Sequence, residues 1–311
     1  MSRIHEALKK AAQERNAQLA GRSGPDLVDF TVEAPALSAE RLPLEETPLL
    51  RRDNWTAPAP TEPLPFEQLV KGCARGKWKL DAKKSVFAAE RDDLVVAEKF
   101  RTLRSRLYQV AAVQRLHSVV VTSSLPAEGK TFVAANLALS FVRQQDRRVL
   151  LIDADLRASR LHLQLGAMEK PGLTDYLRGK ASESEVIQLG PEGNLCLIPG
   201  GSDVTNPSEL LHSDRMKQLV ERMSHIFDWV ILDSPPAVAV HDASILADMC
   251  DGVLFVVRAG STDFEIAEKA VSEFREKKLL GVVLNRVDRS QAYGTYYGYA
   301  DEKKPAEQQQ N

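Results

Sequence analysis

With 311 residues, 41 lysines and arginines against 43 acids, and a formal net charge of −2, the chain carries no global basic field for nucleic acid. Its three cysteines (Cys73, Cys196 and Cys250) are far apart and lack metal spacing, which argues against a disulfide framework or a zinc site and fits a reducing cytoplasm. No uncharged apolar run approaches the roughly 20 residues that span a bilayer, and the N-terminus lacks the apolar core of a signal peptide, so a membrane role must go through a partner or a surface helix.

Taken in order, residues 1–19 predict a short amphipathic helix capped by Ser2, with Ile4, Leu8, Ala11 and Ala12 on one face. Such a helix is too short to stand alone and is expected to dock on a partner protein or on the chain's own body. Residues 20–65 hold eight of the sixteen prolines and no sustained period, the pattern of a disordered linker. Phe66–Ala89 is ambiguous: a basic cluster (Lys71, Arg75, Lys77, Lys79) surrounds Trp78, and an extended arm packed on the domain is the expected form. Asp92–Val113 reads as a helix, with Ala97, Phe100, Leu103, Leu107 and Val110 near helical spacing. Within it Glu98, Arg101 and Arg104 recur every three residues along one side, a row that by itself reads as a solvated face.

The most informative stretch is Ser118–Asp155. An apolar, β-branched run (Ser118–Thr122) enters a tight loop ending Gly129-Lys130-Thr131; a helix over Lys130–Gln145 follows, then a second apolar run, Arg148–Asp153. Strand, loop and helix in that order form a phosphate cradle. Glycine lets the backbone close on phosphate, loop N–H groups and the helix N-terminus point at it, Lys130 spans the outer phosphates and the Thr131 hydroxyl can ligate Mg²⁺. Ser124, Pro126, Ala127, Glu128, Gly129, Lys130, Thr131 and Phe132 are the candidate nucleotide contacts.

Beyond the cradle, strands are expected at Leu195–Pro199, Asp228–Asp233, Gly252–Val257 and Leu280–Asn285, and helices at Ser213–Ile226 and Asp263–Lys277. Continuous apolar strands alternating with helices predict an α/β fold, a doubly wound and mostly parallel sheet covered on both faces. Ligands of such sheets sit at the strand carboxyl ends, where Asp153, Asp155 and Asp233 fall. Asp153 and Asp155 alternate past a strand end, so both can approach Mg²⁺ and an incoming hydroxyl, while Arg157 can pair with one of them or with phosphate. Asp233 closes the run Trp229–Asp233 in the manner of a Walker B acid. From Ser290 the chain loses apolar periodicity, yet Tyr293, Tyr296, Tyr297 and Tyr299 crowd into seven residues. A tail with nothing to pack against leaves these tyrosines free to be presented to another active site.

The set TSSLPAEGKT, LLIDADLR and VILDSPP, joined to a terminal tyrosine cluster, resembles the bacterial tyrosine autokinases that control polysaccharide export and chain length. The resemblance runs from about Asp92 to Tyr299 and includes Asn206–Leu211 (NPSELL) and Leu284–Asp288 (LNRVD). It implies a P-loop kinase domain over 66–289 and a tail over 290–311. Lys130, Thr131, Asp153, Asp155 and Asp233 would form the ATP–Mg²⁺ site, with Thr131, Asp153 and Asp233 on the metal and Asp155 as base or orienter for the acceptor hydroxyl. It also implies that Glu98, Arg101 and Arg104 match the EX₂RX₂R motif of ring assembly, and that a membrane polysaccharide copolymerase serves as anchor and activator at the inner face of the membrane. The first helix is similar to the start of stand-alone members from exosortase-linked loci. Two positions depart from common P-loop patterns: Ser124 replaces the first glycine, and Ala127 stands where many relatives have glycine. Leu125 occupies the place of the signature lysine of ParA and MinD proteins, which weakens the alternative of a nucleotide-dependent switch; an adaptor whose P-loop only holds nucleotide is a third reading.

Overall fold

A computed structural model describes residues 65–87, 94–144, 146–191, 193–202, 204–274 and 278–287. The expected first helix, the proline-rich linker up to residue 64 and the four tail tyrosines lie outside the described residues.

The strands are β1 (Ala74–Arg75), β2 (Ser118–Ser123), β3 (Val149–Asp153), β4 (Gln188–Leu189), β5 (Leu195–Ile198), β6 (Trp229–Asp233), β7 (Gly252–Arg258) and β8 (Leu279–Asn285). They join in one sheet of order β1-β4-β5-β3-β6-β2-β7-β8, parallel at every junction except the antiparallel β4–β5 pair. The helices are α1 (Phe66–Leu69), α2 (Leu94–Ala111), α3 (Lys130–Val142), α4 (Leu161–Leu165), α5 (Leu173–Leu177), α6 (Glu183–Val186), α7 (Pro207–Leu211), α8 (Asp214–Ile226), α9 (Asp242–Met249) and α10 (Phe264–Ser272).

The apolar runs form strands because they are covered on both sides. Alternate residues of β2 divide between two cores: Val120 joins the α8–α9 side, whereas Val119 and Val121 join the α2–α3 side. α3 is buried over most of its circumference, and its alanines at 134, 135 and 138 let it lie close to the sheet. It ends at Val142, three residues short of the expected limit. α8 shows the ordinary surface pattern, with Met216, Leu219, Val220 and Met223 buried, and its Ser213 cap accepts from the Met216 N–H at 3.3 Å, a contact that contributes about 1 kcal/mol.

The ambiguous N-terminal stretch does pack as an arm. β1 extends the sheet edge, and residues 81–87 lie along α3, where buried Asn136 receives the Val86 N–H (2.8 Å) and donates to the Lys84 carbonyl (2.9 Å). Arg143 closes the arm by donating to the Phe87 carbonyl at 2.9 Å.

At the opposite end of β2, Asp251 Oδ2 accepts from the Ser118 N–H, the Ser118 hydroxyl and the His117 N–H at 2.9–3.0 Å, pinning β2 against β7. Burial alone would raise this carboxyl, but those donors outweigh it and hold it below the usual aspartate range. A folded-state value below the unfolded one adds stability above the ordinary aspartate pKa, and that stability is lost as pH falls through the depressed value. Asp251→Ala should therefore cost about 1–3 kcal/mol at neutral pH. In urea melts the gap to wild type should narrow as pH is lowered toward about 3.

Candidate active site

The loop between β2 and α3 is built on two left-handed residues. Gly129 sits at φ +99, and a Cβ there would lie 2.1 Å from the Asn285 amide nitrogen, so both backbone and space demand glycine. Ala127 sits at φ +64, the position where the sequence departs from glycine; an alanine there carries roughly 1–2 kcal/mol of strain.

That strain is held by Glu128. Its carboxylate accepts from the Leu125 N–H (2.8 Å) and from the Thr262 hydroxyl, and its carbonyl accepts from Asn285 Nδ2 (2.8 Å). Burial raises the Glu128 carboxyl above the usual range, with the hydrogen bonds from Thr262 and Leu125 opposing it. Glu128 thus faces into the protein and braces the loop, while Pro126 and Ala127 are exposed at its mouth. The hydroxyl of buried Ser124 has no hydrogen-bond partner among the described residues. The Phe132 ring lies edge-on to Phe100 of α2, centroids 5.9 Å apart, which leaves its backbone N–H as the group able to meet a phosphate.

Parallel pairing sets Asp153 opposite Asp233 at the ends of β3 and β6, beside β2. Both are almost completely buried. Asp153 Oδ2 accepts from the Ser159 hydroxyl (2.7 Å) and from the N–H groups of Arg160 and Leu161 (3.0 Å each). Among the described residues, Asp153 Oδ1 and both Asp233 oxygens have no hydrogen-bond partner. Burial pushes both carboxyls up, and Lys130 opposes the rise at Asp233. Lys130 Nζ donates to Asp155 Oδ2 at 2.7 Å, and Ala158 N–H reaches Asp155 Oδ1 at 3.1 Å. Burial would lower the Lys130 ammonium, yet the charges of Asp233, Asp155 and Asp153 hold it above the usual range.

Lys130, Asp153, Asp155 and Asp233 are therefore brought together, with three carboxyl groups around one ammonium. Among the described residues no three acidic, histidine or cysteine side chains converge as a ready-made metal cage. Partnerless buried carboxylate oxygens, with the Thr131 hydroxyl on the adjacent helix turn, instead fit a hard cation that keeps waters and is shared with phosphate.

Two expectations land differently. Arg157 meets neither Asp153 nor Asp155; its Nε donates to Asp242 Oδ2 and its Nη2 to the Ser208 hydroxyl, both at 2.9 Å. The row on α2 is divided: Glu98 and Arg101 form an ion pair on the surface, but Arg104 turns inward and donates to the Ser140 carbonyl of α3. Sequence reading missed Thr262, Asn285, Ser159 and Asp242. Asn285 and Ser208 do lie inside the two stretches that carry the family resemblance, whereas a lone threonine at 262 gives no signal.

Residues 119–307 match the CobQ/CobB/MinD/ParA nucleotide binding domain family (CbiA). Over 223 residues the chain is 37% identical to tyrosine-protein kinase YwqD of Bacillus subtilis, covering 70% of this chain and 93% of that protein. This chain belongs to the bacterial tyrosine-protein kinases. It is also 36% identical over 209 residues to tyrosine-protein kinase ptk of Acinetobacter johnsonii, 67% of this chain but only 28% of that longer kinase. Among solved structures, the kinase domain of the Escherichia coli tyrosine kinase ETK superposes with a TM-score of 0.58 at 33% identity, over 62% of this chain and 77% of that one. The kinase resemblance read from the motifs is thus the family of the chain, and the nucleotide-binding α/β fold expected from them is the fold it has.

Gly129→Ala offers a direct check on the cradle. Left-handed strain and the collision with Asn285 act together, so titration with a fluorescent ATP analogue should show affinity at least about tenfold weaker than wild type.

Proposed function

We propose that the protein is an ATP- and Mg²⁺-dependent protein-tyrosine autokinase that phosphorylates Tyr293, Tyr296, Tyr297 and Tyr299 on a neighbouring subunit. The observation that carries this reading is the meeting of Lys130 and Asp155 at 2.7 Å beside two buried acids, at the rim of a phosphate-type loop. Lys130 and the loop N–H groups bind and orient the outer phosphates. Thr131, Asp153 and Asp233 hold Mg²⁺, which when bound offsets charge on the transferred phosphoryl. Asp155 receives the phenolic proton as the tyrosine oxygen forms its bond to phosphorus and the bond to the bridging oxygen of ADP breaks. Little covalent chemistry is asked of the protein; positioning and charge do most of the work.

In this reading the subunits assemble through Glu98 and Arg101 into a ring, and phosphates added to the tails loosen it by repulsion. No helix among the described residues is long and apolar enough to cross a membrane. A membrane polysaccharide copolymerase would supply the anchor and the activating segment, placing the kinase at the inner face of the membrane, where it regulates exopolysaccharide polymerisation and export.

Incubating the full chain with labelled ATP and Mg²⁺, alone and with a partner's cytoplasmic peptide, tests the reaction. Label should appear on tyrosine, vanish in Lys130→Met and on chelation of Mg²⁺, and fall about 10²- to 10⁴-fold in Asp155→Asn. Replacing all four tail tyrosines by phenylalanine should leave ATP binding intact and remove the label. Free phosphate with none on tyrosine would instead favour a ParA/MinD-type switch.

The divided row on α2 separates two effects. Arg101→Ala should dissolve the oligomer in sedimentation experiments without lowering the melting temperature. Arg104→Ala should cost about 1 kcal/mol of stability through its lost bond to Ser140. An unchanged oligomer in Arg101→Ala would remove the ring assignment.

A further inference from the structure

Next to the acid cluster lies a second polar unit that neither the phosphate cradle nor the metal ligands account for. Asp242, the first residue of α9, is fully buried. Its Oδ2 accepts from Arg157 Nε at 2.9 Å and its Oδ1 from the Ser208 hydroxyl at 2.5 Å. Ser208, in the first turn of α7, accepts in turn from Arg157 Nη2 at 2.9 Å. Three side chains from three separate elements close a ring in which the serine donates once and accepts once, and the carboxylate uses both oxygens.

We propose that Arg157 is a positioning residue that clamps the Asp155 loop to the starts of α7 and α9, and is not a ligand of the nucleotide phosphates. Arg157 stands two residues beyond Asp155, on the loop whose N–H groups at 158, 160 and 161 hold Asp155 and Asp153. Asp242 has its ion-pair partner in Arg157. Turning the guanidinium toward a phosphate would strand a carboxylate with no access to water, a heavy penalty for a buried charge. The fork geometry also matters: Nε and Nη2 engage two different acceptors at once, which a single ammonium cannot reproduce. The clamp gives the NPSELL stretch a task, since Ser208 is its serine and buried Pro207 and Leu211 seat the helix beneath it.

The effect on catalysis rests on the kinase reading above, so the test has two independent readouts on the full chain. In Arg157→Ala, Ser208→Ala and Asp242→Asn, tyrosine phosphorylation should fall about 10- to 100-fold while ATP affinity stays within about twofold. The double variant Arg157→Ala/Ser208→Ala should be no worse than the poorer single one. Amide exchange at Ala158, Arg160 and Leu161 should quicken in each variant, and Arg157→Lys should not restore it. Weaker ATP binding in Arg157→Ala but not in Asp242→Asn would make Arg157 a phosphate ligand and overturn the clamp. Unchanged exchange protection, additive losses or full rescue by lysine would overturn it as well. Should wild type put no phosphate on tyrosine, the kinase reading fails, while amide exchange in the folded chain still decides the clamp. Ser208→Ala, which leaves the buried ion pair in place, covers the case in which Asp242→Asn does not fold.

Discussion

Three carboxylates held out of water around a single ammonium are the constraint that the rest of the structure serves. Asp153 and Asp233 could not be buried at adjacent strand ends without either neutralisation or a cation, and Lys130 is the one charge of the P-loop aimed at them. Parallel pairing of β3 and β6 fixes their opposition, and helix-covered sheet faces keep water away from the strands beneath. Burial pushes Asp153 and Asp233 toward their neutral forms, and a cation placed at the cluster would draw them back to carboxylates.

Around that cluster, precision comes from side chains that bond to the protein itself. Glu128 points away from the mouth of the loop and trades its charge for two donors; Ser159 and the backbone beyond it hold Asp153; Arg157 is committed to Asp242. The loop that carries strain at Ala127 is thereby fastened to β8 and to the turn after β7, while the loop that carries Asp155 is fastened to α7 and α9. Two loops that must cooperate in one reaction are anchored to different parts of the sheet, which fixes their separation through the scaffold and not through contact with each other alone.

The large elements were legible because their signal is hydrophobic continuity. Ser118–Thr122, Trp229–Asp233 and Gly252–Val257 each carry an unbroken apolar run, and each strand lies within a residue of the expected bounds. The acids at their ends were legible for the same reason: a charge that terminates a buried strand has few structural excuses. What the sequence hid is held by side chains. α4 to α7 are four or five residues long, too short for any period to show, and β4 has two residues, too few for alternation. Arg157 sits two positions from Asp155, so proximity along the chain suggested a shared task, but its partner is 85 residues away and the pairing is a property of the fold. Arg104 teaches the same lesson on a helix. Spacing placed it beside Glu98 and Arg101, yet each three-residue step falls about 60° short of a full turn, enough for Arg104 to face α3 and bond the Ser140 carbonyl.

Asn136 joins the arm to α3 from within the helix that begins at the phosphate loop. One side chain satisfies a backbone donor and a backbone acceptor of a segment 50 residues earlier in sequence, and it also bonds the Phe132 carbonyl one turn back. Separating residues 81–87 from α3 would therefore break hydrogen bonds on both sides at once. Withdrawing the arm would leave that amide, in the middle of a buried helix face, with the Phe132 carbonyl as its remaining partner, so the polar side chain that interrupts an apolar run of the helix is what holds the arm in register.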